Sequence, residues 1–253
     1  MPDQKDVIAV FDSGVGGVSV LRELMRLMPN EHYLYFGDSA NAPYGSRTTA
    51  QVRELTLSAI DQLLESYPIK ALVVACNTAT AAAIGHLRTL HPELIVIGIE
   101  PALKLAADRY PGGTIGVMAT QVTLREEKFH HLWQRFAQGC RVYPIEAPGL
   151  VELVETGREN SPEAEKLLQS VLSPYVGKLD ALVLGCTHYP FASASISRVL
   201  GSTTTLLDGG DGTARETRRR LEAAELLAQP QQTGSLQICC SGDPHRFTML
   251  AKK

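Results

Sequence analysis

The sequence lacks the marks of several large protein classes. No run approaches the 18 or more consecutive apolar residues that a membrane span requires. The opening residues, MPDQKDVIAVFD, hold no long apolar run before a small-residue cleavage site, so no signal peptide is read there. Neither sign of charge dominates: a net charge of −3 gives little pull toward nucleic acid or an anionic membrane. Cysteines number five, an odd count with no CxxC pair, which argues against a disulfide framework. No HExxH, zinc-finger spacing or EF-hand loop is present, so no metal site is signalled. These absences lead us to expect a cytoplasmic protein with free thiols, no metal, and neither nucleic acid nor membrane as partner.

What remains is an ordinary globular composition over 253 residues, enough for one large or two ordinary domains. Short Val/Ile/Leu-rich runs alternate with longer amphipathic stretches. Strands are expected at 7–11, 33–36, 71–75, 95–99, 114–118, 141–143, 181–184, 205–207 and 236–239. Helices are expected between them at 17–28, 49–66, 79–90, 103–109, 124–137, 149–156, 162–172, 193–199 and 213–227, with a short one after Asp243 running to Lys253. This order predicts parallel sheets covered by helices.

The chain also repeats itself. Shifted by 110 residues, KALVVACNTAT at 70–80 falls on DALVLGCTHYP at 180–190, and Cys76 falls on Cys186. The same shift lays IVIG at 95 over TLLD at 205. A shift of 107 pairs IAVFDS at 8 with IGVMAT at 115, and 108 pairs YLYFGD at 33 with RVYPIE at 141. Four matches in one order predict two similar parallel-sheet α/β domains related by internal duplication, with the active site in the cleft between them. The first is expected to span 1–99 plus 208–253, the helix after Asp208 and the last strand returning to complete its sheet. The second is expected to span 100–207.

Ligands of such sheets gather at the carboxyl ends of strands. Asp12-Ser13, Asp38-Ser39, Cys76-Asn77-Thr78, Thr120 and Cys186-Thr187-His188 all fall there. A single buried cysteine is ordinarily core packing; two at matched repeat positions point to chemistry. A sulfur at a helix N-terminus gains thiolate character, and Cys186 is expected to repeat the setting of Cys76. Two facing units would bring the sulfurs to opposite sides of one ligand, an arrangement suited to inverting a stereocentre by proton transfer. Asp12 reads as a partner for Cys76 or as a helix cap. The run SGVGG after it reads as a tight carboxylate-accepting turn, since it lacks both phosphate-loop signatures. His188 reads as an aid to Cys186, and Glu152 and Glu155 share one short helix. Unaided, Pro43-Tyr44-Gly45 reads as a turn. Cys140, Cys239 and Cys240, and His32, His86, His91, His130, His131 and His245, lack such a context and read as structural or surface residues. The basic run Arg218-Arg219-Arg220 reads as a solvated helix face.

At these residues the chain resembles the glutamate racemases of the aspartate/glutamate racemase superfamily. The matching segments are FDSGVGGVSVLREL at 11–24, YFGDSANAPYGSR at 35–47, VVACNTATA at 73–81 and LVLGCTHYPF at 182–191, with weaker matches at 116–123 and 148–157. The resemblance implies an active site between two α/β domains, no cofactor, and L- and D-glutamate as substrates. It implies that Cys76 takes the α-proton of D-glutamate and Cys186 that of L-glutamate, with Asp12 and His188 assisting. It implies that Glu155, or failing that Glu152, is the family's helical glutamate. Ser13, Pro43, Tyr44, Gly45, Asn77, Thr78, Thr120, Thr123 and Thr187, with Asp12 and His188, match substrate-holding positions. A supply of D-glutamate for peptidoglycan and a homodimer are further implications. The segment from Asp208, DGGDGTAR, departs from the family pattern. Competing readings are an aspartate or hydantoin racemase, a non-catalytic amino-acid-binding α/β protein, and a thiol redox protein.

Overall fold

The computed structural model describes residues 2–136 and 139–252. Its strands are β1 (Val7–Asp12), β2 (His32–Gly37), β3 (Ile69–Val74), β4 (Ile95–Gly98), β5 (Thr114–Ala119), β6 (Arg141–Glu146), β7 (Ala181–Leu184), β8 (Thr205–Asp208) and β9 (Ser235–Cys240). Its helices are α1 (Val18–Leu27), α2 (Thr49–Ser66), α3 (Asn77–Leu90), α4 (Leu103–Arg109), α5 (Gln121–Arg125), α6 (Glu127–Phe136), α7 (Leu150–Glu155), α8 (Pro162–Leu172), α9 (Ser193–Leu200), α10 (Gly210–Ala223) and α11 (Pro244–Ala251).

All strand pairs are parallel, in two sheets ordered β4-β3-β1-β2-β9 and β6-β5-β7-β8. Replace each strand of the first half by its repeat partner and 4-3-1-2 becomes 8-7-5-6, the order found. Register repeats too. Ile8 faces Ala71 in the first sheet and Ile115 faces Ala181 in the second, the same shifts of 107 and 110. On the other flank Ile8 faces Tyr33 while Ile115 faces Val142, a shift of 109. The spatial partner of Tyr33 is therefore one residue beyond the sequence match.

Each central strand is buried on both faces, which is why it reads as an unbroken apolar run. Ile8 and Val10 join the core under α1 and α10, while Ala9 and Phe11 join the core under α2 and α3. The second sheet divides likewise between α8–α9 and α4–α6. β9 hydrogen-bonds to β2, and α10 packs on α1. A buried ion pair fastens this returning segment: Lys70 Nζ meets Glu31 Oε2 at 2.6 Å and donates to the carbonyls of Leu226 and Gln4.

Some boundaries differ from expectation for identifiable reasons. The helix expected from 124 to 137 starts at Gln121 and breaks at Glu126, whose backbone turns extended and whose carboxylate accepts the Thr49 hydroxyl; Ala137, its expected end, lies outside the described residues. The helix expected to reach Leu227 stops at Ala223. There Glu225 takes φ 57°, the Leu226 N–H bonds back to Leu221 O, and the Glu225 N–H to Glu222 O. This is a Schellman stop without its usual glycine. β6 continues through Pro144 because it is an edge strand, where a missing N–H costs nothing. The last helix ends at Ala251, capped by Asp243; Lys253 lies outside the described residues.

Candidate active site

The carboxyl ends of β1, β3, β5 and β7 converge, and the chemistry-bearing residues stand on them. Cys76 follows β3 and is itself the N-cap of α3, its sulfur accepting the Ala79 N–H at 3.4 Å. The helix thus begins at Asn77, two residues before its expected start. The Cys76 thiol lies 3.5 Å from the Ser13 hydroxyl. Cys186 follows β7 but meets no α-helix. Pro190 has no N–H to donate to the Cys186 carbonyl, so the Tyr189 N–H takes that carbonyl and a 3₁₀ turn, Tyr189–Ala192, forms instead. The expected repetition of a helix N-terminus therefore stops at the first sulfur. Cys186 Sγ is 3.8 Å from His188 Nδ1 of its own turn.

Asp12 ties the two sides together. Its Oδ1 accepts the Gly14 N–H at 2.9 Å, and its Oδ2 accepts the Thr187 hydroxyl at 2.9 Å. Its neighbour Ser13 touches Cys76, and Thr187 adjoins Cys186. The two cysteines are thus linked across the cleft through Ser13, Asp12 and Thr187. Both are nearly sealed, Cys76 at 4% exposure and Cys186 at 6%. This is a closed arrangement.

The electrostatics differ between the sulfurs. Burial, with the Asp12 charge added, pushes the Cys76 thiol up to about 12. Burial also raises Asp12, against the lowering pull of His188 and its two hydrogen bonds. For His188 burial favours the neutral ring, yet its bonds to Cys186 and Glu155 outweigh that and raise it well above the ordinary histidine value. Glu155 behaves in mirror fashion. Burial opposes its charge, but His188 Nε2 at 2.5 Å and the Val15 N–H at 2.9 Å hold it below the usual carboxylate range. Both partners thus favour the charged form of His188, which lies between a carboxylate and a sulfur.

Of the two helical glutamates, Glu155 reaches His188, whereas Glu152 lines the two cavities beside the site without touching His188 or either sulfur. The threonines gather across the cleft. Thr78 Oγ1 lies 2.9 Å from Thr120 Oγ1 and 3.5 Å from Thr123 Oγ1, and Thr120 caps α5. Asn77 is buried beside Cys76, and its Oδ1 has no partner among the described residues. Gly45 packs on Thr120, where a Cβ would stand 2.8 Å from the threonine methyl. The Tyr44 phenol is taken by Asp38 at 2.6 Å, which also accepts from Asn41 and Ser241. Pro43 separates two cavities of about 280 and 160 Å³ that flank the closed site. Gly14 and Gly16 are required by close approach: a methyl on the first would overlap the Glu155 carboxylate and on the second the His188 ring. Sequence reasoning did not find Arg246, which donates to the Glu155 carbonyl at 3.1 Å from α11. It also missed Tyr35, whose alternation along β2 reads only as core.

Comparison with known proteins agrees with this architecture. A family model described as Asp/Glu/Hydantoin racemase matches residues 8–217. The glutamate racemase of Clostridium kluyveri is 45% identical over 255 residues, covering all of this chain and 98% of that protein. A glutamate racemase isoform from Bacillus anthracis superposes with a TM-score of 0.88 at 31% identity, covering 98% of this chain and 93% of that one. The Escherichia coli glutamate racemase, solved with L-glutamate and the activator UDP-MurNAc-ala, gives 0.85 at 32% identity, covering 97% and 94%. The chain belongs to the Asp/Glu/hydantoin racemase family, as an isomerase of its glutamate racemase branch.

Proposed function

We propose that this protein interconverts L- and D-glutamate by passing the α-proton between Cys76 and Cys186 without a cofactor, supplying D-glutamate for peptidoglycan. The observation that carries the reading is the convergence of two buried sulfurs on one cleft, joined through Asp12, Ser13 and Thr187. One thiolate removes the Cα proton, and the electron pair moves into the substrate carboxylate. The opposite thiol then delivers its proton to the other face of Cα, leaving the thiol and thiolate exchanged. Cys186 serves L-glutamate and Cys76 serves D-glutamate.

The α-proton is very weakly acidic, so the growing carboxylate charge needs preorganised donors. Thr78, Thr120, Thr123, Asn77 and the glycine-rich backbone after Asp12 supply them, in a space closed to water. In this reading Cys76 holds the proton that it delivers to form D-glutamate, and His188 stands 3.8 Å from the Cys186 sulfur that takes the proton of L-glutamate. The same reading divides the chain into 1–99 plus 208–253 and 100–207; the pairing of β9 with β2 supports it. The test is circular dichroism decay of each glutamate enantiomer with Cys76→Ser and Cys186→Ser enzymes. Near-normal turnover in either variant overturns the two-thiol mechanism.

A further inference from the structure

Among the buried polar side chains of the first sheet that the mechanism above leaves unused, one hydroxyl bonds into the loop after Asp12. Tyr35, on β2, is fully buried, and its ring packs 5.9 Å from that of Phe247 on α11. Its hydroxyl donates to the Gly14 carbonyl at 2.8 Å. That carbonyl belongs to the Gly14–Val15 peptide, a planar trans unit whose N–H points from its opposite edge. The Val15 N–H donates to Glu155 Oε1 at 2.9 Å. The same oxygen meets His188 Nε2 at 2.5 Å, and the far nitrogen of that ring lies 3.8 Å from Cys186 Sγ.

We infer that Tyr35 is a positioning residue for the Cys186 half of the reaction, acting through the Gly14–Val15 peptide on Glu155 and thence on His188. The argument is geometric. A peptide plane held at its carbonyl cannot turn its N–H away from the carboxylate. Donation to the carbonyl also polarises the unit, which strengthens the N–H as a donor. Glu155 lies on the second sheet's side of the cleft and Tyr35 on the first sheet, so the relay fixes the histidine of one unit from the backbone of the other. The hydroxyl keeps its proton and remains a donor across the working range, because burial and the charges of Asp12, Glu155 and Cys76 all push its pKa well above the ordinary phenol value.

This inference rests on the two-thiol reading, and its test separates the two. Tyr35→Phe keeps the ring and removes the donor. Its kcat should fall about five- to tenfold, the usual worth of one buried hydrogen bond, with KM unchanged. The same replacement made on a Glu155→Ala background should cost less than about twofold, since the relay then has no carboxylate to act on. Phe247→Leu, which loosens the ring's packing and spares the hydroxyl, should leave kcat within about twofold of the starting enzyme. Full turnover by Tyr35→Phe overturns the inference. So does an equal cost in both backgrounds, or a Phe247→Leu enzyme as impaired as Tyr35→Phe. Full turnover by Tyr35→Phe beside an inactive Cys186→Ser enzyme removes the relay alone; an active Cys186→Ser enzyme removes the two-thiol reading beneath it.

Discussion

Cys76 caps an α-helix and faces an acid, Asp12, through Ser13, whereas Cys186 sits in a 3₁₀ turn and faces a histidine, His188, backed by Glu155. The two sulfurs occupy equivalent strand ends of a duplicated unit, yet duplication preserved their positions and not their partners. The difference teaches that a pair of thiols exchanging one proton need not be matched. One must hold the proton while the other is ready to take it. Burial and the Asp12 charge keep the proton on Cys76, and His188 with its Glu155 partner stands beside the other sulfur.

The comparison can be broken most directly at the sulfurs. Cys76→Ser and Cys186→Ser should each lower kcat/KM by about 10³-fold, as loss of a positioned proton-transfer group does. Because the two enantiomers are equal in free energy, kcat/KM must fall by the same factor from L- and from D-glutamate in every variant. Asymmetry between the sulfurs then appears only in separate kcat and KM values. Substitution of the assisting groups, Asp12→Asn on one side and His188→Asn on the other, should cost about 10²-fold. Initial-rate kinetics from both enantiomers should show the larger kcat loss from D-glutamate for the first and from L-glutamate for the second.

Finer changes sharpen the same contrast. Glu155→Gln should lower kcat about tenfold by releasing His188 from its charged partner, while Glu152→Gln should stay within about twofold because that side chain makes no bond to His188 or to either sulfur. Steady-state turnover of the two variants decides between them. The smallest effect is read without substrate. Cys76, raised to about 12, should resist alkylation until the pH approaches that value. Asp12→Asn removes the second-largest cause of that shift, so labelling should begin at lower pH. Mass spectrometry of the 76-containing peptide follows it.

Nine strands and the parallel pairing of the repeat were legible because buried parallel strands are unbroken apolar runs and the repeat carries its own register. The cysteine pair was legible for the same reason, as identical residues at matched positions. What escaped depends on contacts distant in sequence. The break at Glu126 answers to Thr49, far away in the chain, and the αL stop at Glu225 lacks its usual glycine. The different turn at Cys186 could have been read from Pro190, which forbids the α-helical hydrogen bond to that residue's carbonyl. Tyr35 carries no local signal, since nothing in the alternation of β2 distinguishes a ring that packs from one whose hydroxyl also holds a loop. Glu155 could be preferred to Glu152 only by resemblance, because helix geometry alone leaves both within reach of the cleft.

The most direct measurement follows the proton itself. L-glutamate is incubated with the enzyme in heavy water, and the deuterium content at Cα is determined in each enantiomer at early times. Transfer between two opposed thiols predicts D-glutamate that carries deuterium from its first appearance, while the remaining L-glutamate stays protiated. Product that retains its original proton, or deuterium entering both enantiomers equally from the start, would contradict it.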